Sequence, residues 1–157
     1  FPALNTSGYQ DRSYSLISPK NIQQEQLEHV VEAYADGSIY EGQKKGNNRH
    51  GKGRFSYANG GLYYGDWKEG AMHGFGTLYY SNGDVAYEGQ WCEDKFHGRG
   101  TVYNENPTAF AGENDYRNFD SLGDCWVKYD GNFVDDIKDG FGILFLSNGD
   151  RFEGEFK

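Results

Sequence analysis

From Tyr63 to Lys68 the chain reads Tyr-Tyr-Gly-Asp-Trp-Lys, with large and small side chains in alternation. A period of two predicts a strand with one packed face. Thr77-Leu78-Tyr79-Tyr80 is rich in residues that suit a pleated surface and predicts a second strand. Asn59-Gly60, Asn82-Gly83 and Asn148-Gly149 are hairpin signals, because both central residues of a type I′ turn need positive φ. Gly70, Gly74 and Gly76 predict a wider turn between the two strands of a copy. The same phrase recurs. Tyr40, Tyr63, Tyr87, Tyr129 and Phe152 open successive copies; the first two openers are 23 residues apart, the next two 24 and the last two 23. A fixed period of this length marks a repeat architecture, here a strand-by-strand antiparallel meander.

Glycine and aromatic positions keep their phase within the period. Alternating them along a strand bares backbone on which a ring can lie, so each unit is expected to bury its aromatics against the next, and the array to stand by stacking. The period breaks once. Gly123 follows Gly83 at an offset of 40 residues where about 23 is expected from the other copies. The excess falls at residues 104–121 and reads as a loop excursion; Phe110, 23 residues after Tyr87, leaves open a decayed opener. Residues 1–18 have no period and read as an extended arm. Ser18-Pro19 suits the start of a short helix, expected from about Pro19 to Glu28. Within residues 19–33 this leaves a lead-in strand, since Tyr34-Ala35-Asp36-Gly37 aligns with Tyr57-Ala58-Asn59-Gly60 and His29 to Tyr34 reads as half of an incomplete copy. The repeat array proper spans 34–157.

Tyr-x-Gly-x-Trp followed by His-Gly-x-Gly resembles the MORN repeat (membrane occupation and recognition nexus). The residues that carry it are Tyr40-Glu-Gly42, Tyr63-Tyr-Gly65-Asp-Trp67, Tyr87-Glu-Gly89-Gln-Trp91 and Tyr129-Asp-Gly131-Asn-Phe133, with His50, His73 and His97 each ten positions after their opener. The likeness covers residues 40 to 157. It implies an all-β, single-sheet antiparallel MORN-repeat solenoid, here preceded by the arm and short helix. It also implies an interaction module of cytoskeletal or ciliary structures or membrane junctions, and a proposed ability to bind phosphoinositides.

Composition sharpens this picture. The 157 residues include 13 Tyr, 11 Phe and 3 Trp against a single Met, so burial must be largely aromatic. The 23 glycines are about twice the ordinary share of roughly 7 per cent, an excess the repeat accounts for. Cys92 and Cys125 are too few for a disulfide framework and fit no zinc spacing; as free thiols they favour a reducing, intracellular compartment. An organelle such as the mitochondrion is the alternative if Phe1 is a processed N-terminus. No stretch approaches the roughly 20 apolar residues that span a bilayer.

The formal net charge of −9 argues against nucleic acid as a partner. The charge is uneven: from Glu41 to Lys68 six basic residues face two acidic, and from Glu69 to Lys157 seven basic face seventeen acidic. Lys44, Lys45, Arg49, Lys52 and Arg54 are therefore candidates for an anionic membrane surface, at about 1 kcal/mol per charge; the plainer reading is a solvated face.

Candidate chemistry is sparse. A catalytic histidine is singular, whereas His50, His73 and His97 are periodic, which points to a structural role near the turn. Histidines two strand spacings apart, about 10 Å, are too distant to share a metal ion. Gly51-Lys52-Gly53 and Gly74-Phe75-Gly76 lack the following helix that a phosphate loop needs. Glu93-Asp94 and Asp135-Asp136 fall in predicted turns, where carboxylates are solvated. The chain is expected to be non-enzymatic, with no cofactor, metal or small-molecule substrate: a scaffold or accessory subunit of a larger protein complex. Its partners would dock on the repeat sheet, the arm and the 104–121 loop, through Tyr64, Trp67, Tyr79, Tyr80, Trp91, Phe110, Tyr116 and Phe119. The structural set of the repeat is Tyr40, Gly42, Tyr63, Gly65, Tyr87, Gly89, Tyr129, Gly131 and the three histidines. A peripheral membrane module and the regulatory module of a larger enzyme are the alternatives.

Overall fold

Alternation and turn chemistry together predict a meander, and the computed structural model, which describes residues 26–109 and 122–157, shows one. Ten strands run in chain order: β1 (Glu28–Ala33), β2 (Ile39–Lys45), β3 (Asn48–Ser56), β4 (Leu62–Lys68), β5 (Ala71–Tyr79), β6 (Val85–Cys92), β7 (Lys95–Tyr103), β8 (Trp126–Val134), β9 (Ile137–Leu146) and β10 (Arg151–Phe156). They form one sheet in which every strand pairs antiparallel with its sequence neighbours. The arm, most of the expected helix, and Phe110, Tyr116 and Phe119 lie outside the described residues. Among those described there is no α-helix; Gln26 and Leu27 are irregular, and Glu28, the expected helix end, instead opens β1. The half-copy reading accounts for this segment: Val30 faces Gly42 just as Gly53 faces Gly65.

The two kinds of turn are the reverse of what the dipeptides suggest. The Asn-Gly loops are not two-residue type I′ turns. In the β3–β4 loop the Gly60 N–H donates to the Tyr57 carbonyl at 3.0 Å and the Tyr57 N–H to the Gly61 carbonyl at 2.9 Å; only the glycine has positive φ, at 95°. This is a type I turn closed by a left-handed glycine. The tight turns sit at the other edge. Lys68 pairs directly with Ala71, leaving Glu69 and Gly70 as the two central residues, with φ of 51° and 93°. Glu93-Asp94 and Asp135-Asp136 do the same with no glycine. Of the three glycines expected in a wide turn, Gly70 sits in the tight turn, and Gly74 and Gly76 lie within β5.

Neighbouring tight turns brace one another. Asp94 Oδ1 accepts from the Met72 N–H at 2.8 Å, and Asp136 Oδ1 accepts from the Phe96 N–H at 2.8 Å. Each turn thus satisfies the backbone that starts the preceding copy's second strand. An aspartate at the second central position can bond in this way and also tolerates the left-handed region.

The core is one face of this sheet. Tyr40, Tyr63, Tyr87 and Tyr129 are fully buried, and Trp67, Trp91 and Phe133 nearly so. Their rings alternate edge to face: Tyr40 to Trp67 at 5.4 Å, Trp67 to Tyr63 at 5.2 Å, Tyr63 to Trp91 at 5.2 Å, and Trp91 to Tyr87 at 5.1 Å. The series runs on through Phe133 and Tyr129 to Phe156. Each such pair contributes about 0.5–1.5 kcal/mol beyond area burial.

The backbone decides where the rings go. Each tyrosine lies over the second glycine of its own copy; a Cβ on Gly76 would overlap the Tyr63 hydroxyl and ring. The ring's bed is therefore intra-copy, and the tryptophan joins copies instead: Trp67 Nε1 donates to the Gly53 carbonyl at 3.2 Å, and Trp91 Nε1 to the Gly76 carbonyl at 3.0 Å. A bulge in each first strand releases one carbonyl, and the tyrosine hydroxyl answers it. Tyr63 donates to Asp66 O at 2.8 Å and Tyr87 to Gln90 O at 2.7 Å, at the positions where the register shifts.

β7 pairs directly with β8, Tyr103 opposite Lys128. Leu122, where the described chain resumes, is buried in the core.

Candidate functional site: the open face of the sheet

Because side chains alternate, the residues between the buried ones form the opposite face. On it each copy contributes three positions: the residue after the opening aromatic, the residue between the two glycines of His-Gly-x-Gly, and the residue two further on. In the first copy these are Glu41, Lys52 and Arg54; in the second Tyr64, Phe75 and Thr77; in the third Glu88, Arg99 and Thr101; in the fourth Asp130, Phe141 and Ile143. The first and third copies are mainly charged and the second apolar, while the fourth sets Phe141 and Ile143 beside the charge of Asp130. Tyr64 is 57% exposed, Phe75 62% and Phe141 47%, although each sits in the middle of an ordered strand.

Ion pairs hold the charged members in place. Lys52 Nζ pairs with Asp66 Oδ1. Arg99 Nη2 donates to Asp130 Oδ1 at 2.8 Å, and the Tyr103 hydroxyl donates to Glu88 Oε1 at 2.9 Å. Between these walls a shallow groove of about 440 Å³ runs from Lys52 to Asp130 over the glycine backbone.

The sequence-predicted docking residues divide. Tyr64 lies on the open face and lines the groove. Tyr79 and Tyr80 line a separate hollow of about 430 Å³ near the Asn-Gly loops, and Tyr80 donates to the Tyr103 carbonyl at 2.6 Å. Trp67 and Trp91, both 4% exposed, belong to the buried ladder and are not on a docking surface, since their rings and Nε1 groups are taken up between copies. Phe75 and Phe141 were missed by sequence reasoning. Their signal was available: a large side chain flanked by two glycines on a strand must point away from the face on which the tyrosine ring covers the second glycine.

The basic set does not form one surface. Lys44 Nζ is bonded to Glu32 Oε1 at 2.7 Å. Arg49 points into the aromatic face, its guanidinium 4.6 Å from the Phe55 ring centre and 5.1 Å from that of Trp67, and it donates to the Tyr34 hydroxyl at 3.1 Å. Lys45 ends β2 beside the tight turn, opposite Asn48, and Lys52 and Arg54 are on the open face.

The histidines stand at the tight-turn edge. His50 Nδ1 accepts from the Glu69 N–H at 3.4 Å, and His97 Nδ1 lies 3.6 Å from Asp135 Oδ1. Both contacts reach the first residue of the next copy's turn, a structural placement; His73 is half-buried at the same phase of β5. Among the described residues no three His, Cys, Asp or Glu side chains are grouped to hold a metal ion.

Burial on the other face raises the phenol pKa values. The Tyr40 hydroxyl moves from the ordinary 10.0 up to about 12, and Tyr63, Tyr87 and Tyr129 are raised for the same reason. Lys138, 5.1 Å from the Tyr129 ring centre, is lowered by burial.

A search of curated proteins returns no match. The family model for the MORN repeat matches residues 40–62, 63–85, 87–104 and 129–151, opening each time on the tyrosine that roots the ladder. The chain belongs to the MORN repeat family.

Proposed function

We propose that this chain is a non-enzymatic docking subunit of a larger protein assembly, and that its open face receives the partner. MORN repeats serve generally as protein- or membrane-interaction modules. The observation that carries the reading is the division of the sheet. One face is consumed by its own aromatic ladder, while the other exposes Tyr64 and Phe75 along a groove walled by ordered ion pairs, and Phe141 on the same face beyond it. Exposed aromatics held by a rigid scaffold give large contact area at low entropic cost.

A membrane role is less well supported, because Lys44 and Arg49 are engaged away from Lys52 and Arg54. Crosslinking and mass spectrometry of the assembly purified from its native source test the proposal. Crosslinks from Lys52 and Lys128 to another protein are expected. Crosslinks confined to the two sheet edges overturn it, as does sedimentation with anionic vesicles that is lost when Lys52 and Arg54 are neutralised.

A further inference from the structure

The open face has a repeat length as well as a composition. Successive copies lie two strands apart, about 10 Å. An α-helix advances about 10.5 Å in seven residues and returns nearly to the same face. An extended segment covers one copy in about three residues, an odd number, which turns its side chain to the opposite face. A helix lying across the strands can therefore address every copy from one stripe; an extended chain cannot.

The side chains give that stripe its content. Tyr64 and Phe75 of the second copy are apolar, Glu88 of the third is anionic, and Phe141 and Ile143 of the fourth are apolar again. Arg99 is drawn to Asp130 and Lys52 to Asp66, whereas Glu88 accepts only from the neutral Tyr103 hydroxyl among the contacts described above and keeps its charge at the centre of the groove, with Glu153 beyond it opposite Ile143. The chain's net charge of −9 adds a long-range pull on a cation. Neighbouring strands and the every-seventh-residue stripe of a helix also rotate with the same hand.

We infer that the open face takes a basic amphipathic helix of a partner protein, with apolar residues fourteen apart and a lysine or arginine midway between them. The inference rests on the open-face reading above and adds the occupant's form, charge and phase.

The test is a phage-displayed library of about 20-residue helical peptides, randomised along one stripe and selected on the intact chain. Enrichment of an apolar–basic–apolar pattern at seven-residue steps is expected. Phe75→Thr should weaken the selected peptide about tenfold, and Glu88→Lys should convert the central preference from basic to acidic; both positions are exposed, and circular dichroism checks that the fold survives. Peptides sharing no seven-residue phase, proline-rich extended peptides, or binding indifferent to both substitutions overturn the helix. So does a second copy occupying the face, seen as a mass that rises with concentration and is abolished by Phe75→Thr. Native crosslinks on the open face combined with an unphased library remove the helix and leave the docking reading standing; crosslinks elsewhere remove both.

Discussion

Tyr63 and Tyr64 are neighbours in one strand, yet one is fully buried and the other 57% exposed. The same contrast holds for the two faces they serve. On the buried face tyrosine and glycine recur in every copy, each tyrosine with its hydrogen bond, and from the second copy on a large aromatic follows, Trp67, Trp91 and then Phe133. On the open face no two copies carry the same three residues, although Phe75 and Phe141, Glu41 and Glu88, and Thr77 and Thr101 match in pairs. Stacking requires each unit to fit the next, which leaves little choice on the ladder side, whereas the other side is free of that demand. Substitutions on the two faces should therefore differ in kind, and the predictions run from the largest effect on folding to the smallest.

Trp91→Ala should cost most, about 3–5 kcal/mol by urea denaturation. The ring bridges Tyr63 and Tyr87 and bonds the Gly76 carbonyl, so its loss opens a cavity between two copies. An outcome under 1 kcal/mol would mean that the copies are not joined through the ladder. Gly76→Ala adds atoms instead of removing them. Its methyl would overlap Tyr63, and overpacking of this sort costs about 1–3 kcal/mol. Gly83→Ala tests turn geometry instead, because nothing crowds that site but its φ is 90°.

Tyr63→Phe keeps the ring and removes the hydroxyl, stranding the bulge carbonyl of Asp66 at a cost of about 1–3 kcal/mol. The same hydroxyls make the ladder sensitive to alkali. In the folded state Tyr40 is pushed up to about 12 and Tyr63, Tyr87 and Tyr129 are raised, while in the unfolded chain all titrate near 10.0. The unfolded chain therefore loses protons first. Stability is whole below about pH 10 and falls as pH rises towards 12. Tyrosinate absorbance followed beside circular dichroism should show these four ionising only with unfolding; ionisation of all tyrosines before unfolding would refute the placement.

Much of the ladder face was legible in the chain, because Tyr, Gly and Trp recur at fixed spacing and only a strand places them together on one side. The hairpin edges were not. Asn59-Gly60 looked like a type I′ turn, but the chain there needs one more residue to close, and Asn59 spends its side chain on the Gly61 N–H at 3.0 Å. The true two-residue turns at Glu93-Asp94 and Asp135-Asp136 carry no dipeptide signal; their positive φ is held by Asp94 and Asp136 bonding the preceding copy, a tertiary cause that local propensity does not register. The open face was half legible. Tyr64, picked for its aromatic character, is exposed there, Trp67 and Trp91, picked on the same ground, are buried in the ladder, and Phe75 was passed over because its flanking glycines suggested a turn. What separates them is parity along the strand, which needs the strand's full length, and β5 begins six residues earlier than its β-rich run suggests.

Phe75→Thr should be the mildest change to folding and the most informative about the comparison. The side chain is 62% exposed, so little apolar area is lost, and threonine suits a strand; a change within about 0.5 kcal/mol is expected. The Phe75 N–H bond to Asp66 Oδ2 at 3.0 Å involves only backbone on the Phe75 side and survives the substitution. A phenylalanine of this exposure contributes little to the fold that houses it, so an unchanged denaturation midpoint combined with lost partner binding would place its purpose outside the chain. A loss of stability comparable to that of Trp91→Ala would instead show that the open face is packed in solution, and the contrast between the two faces would fall.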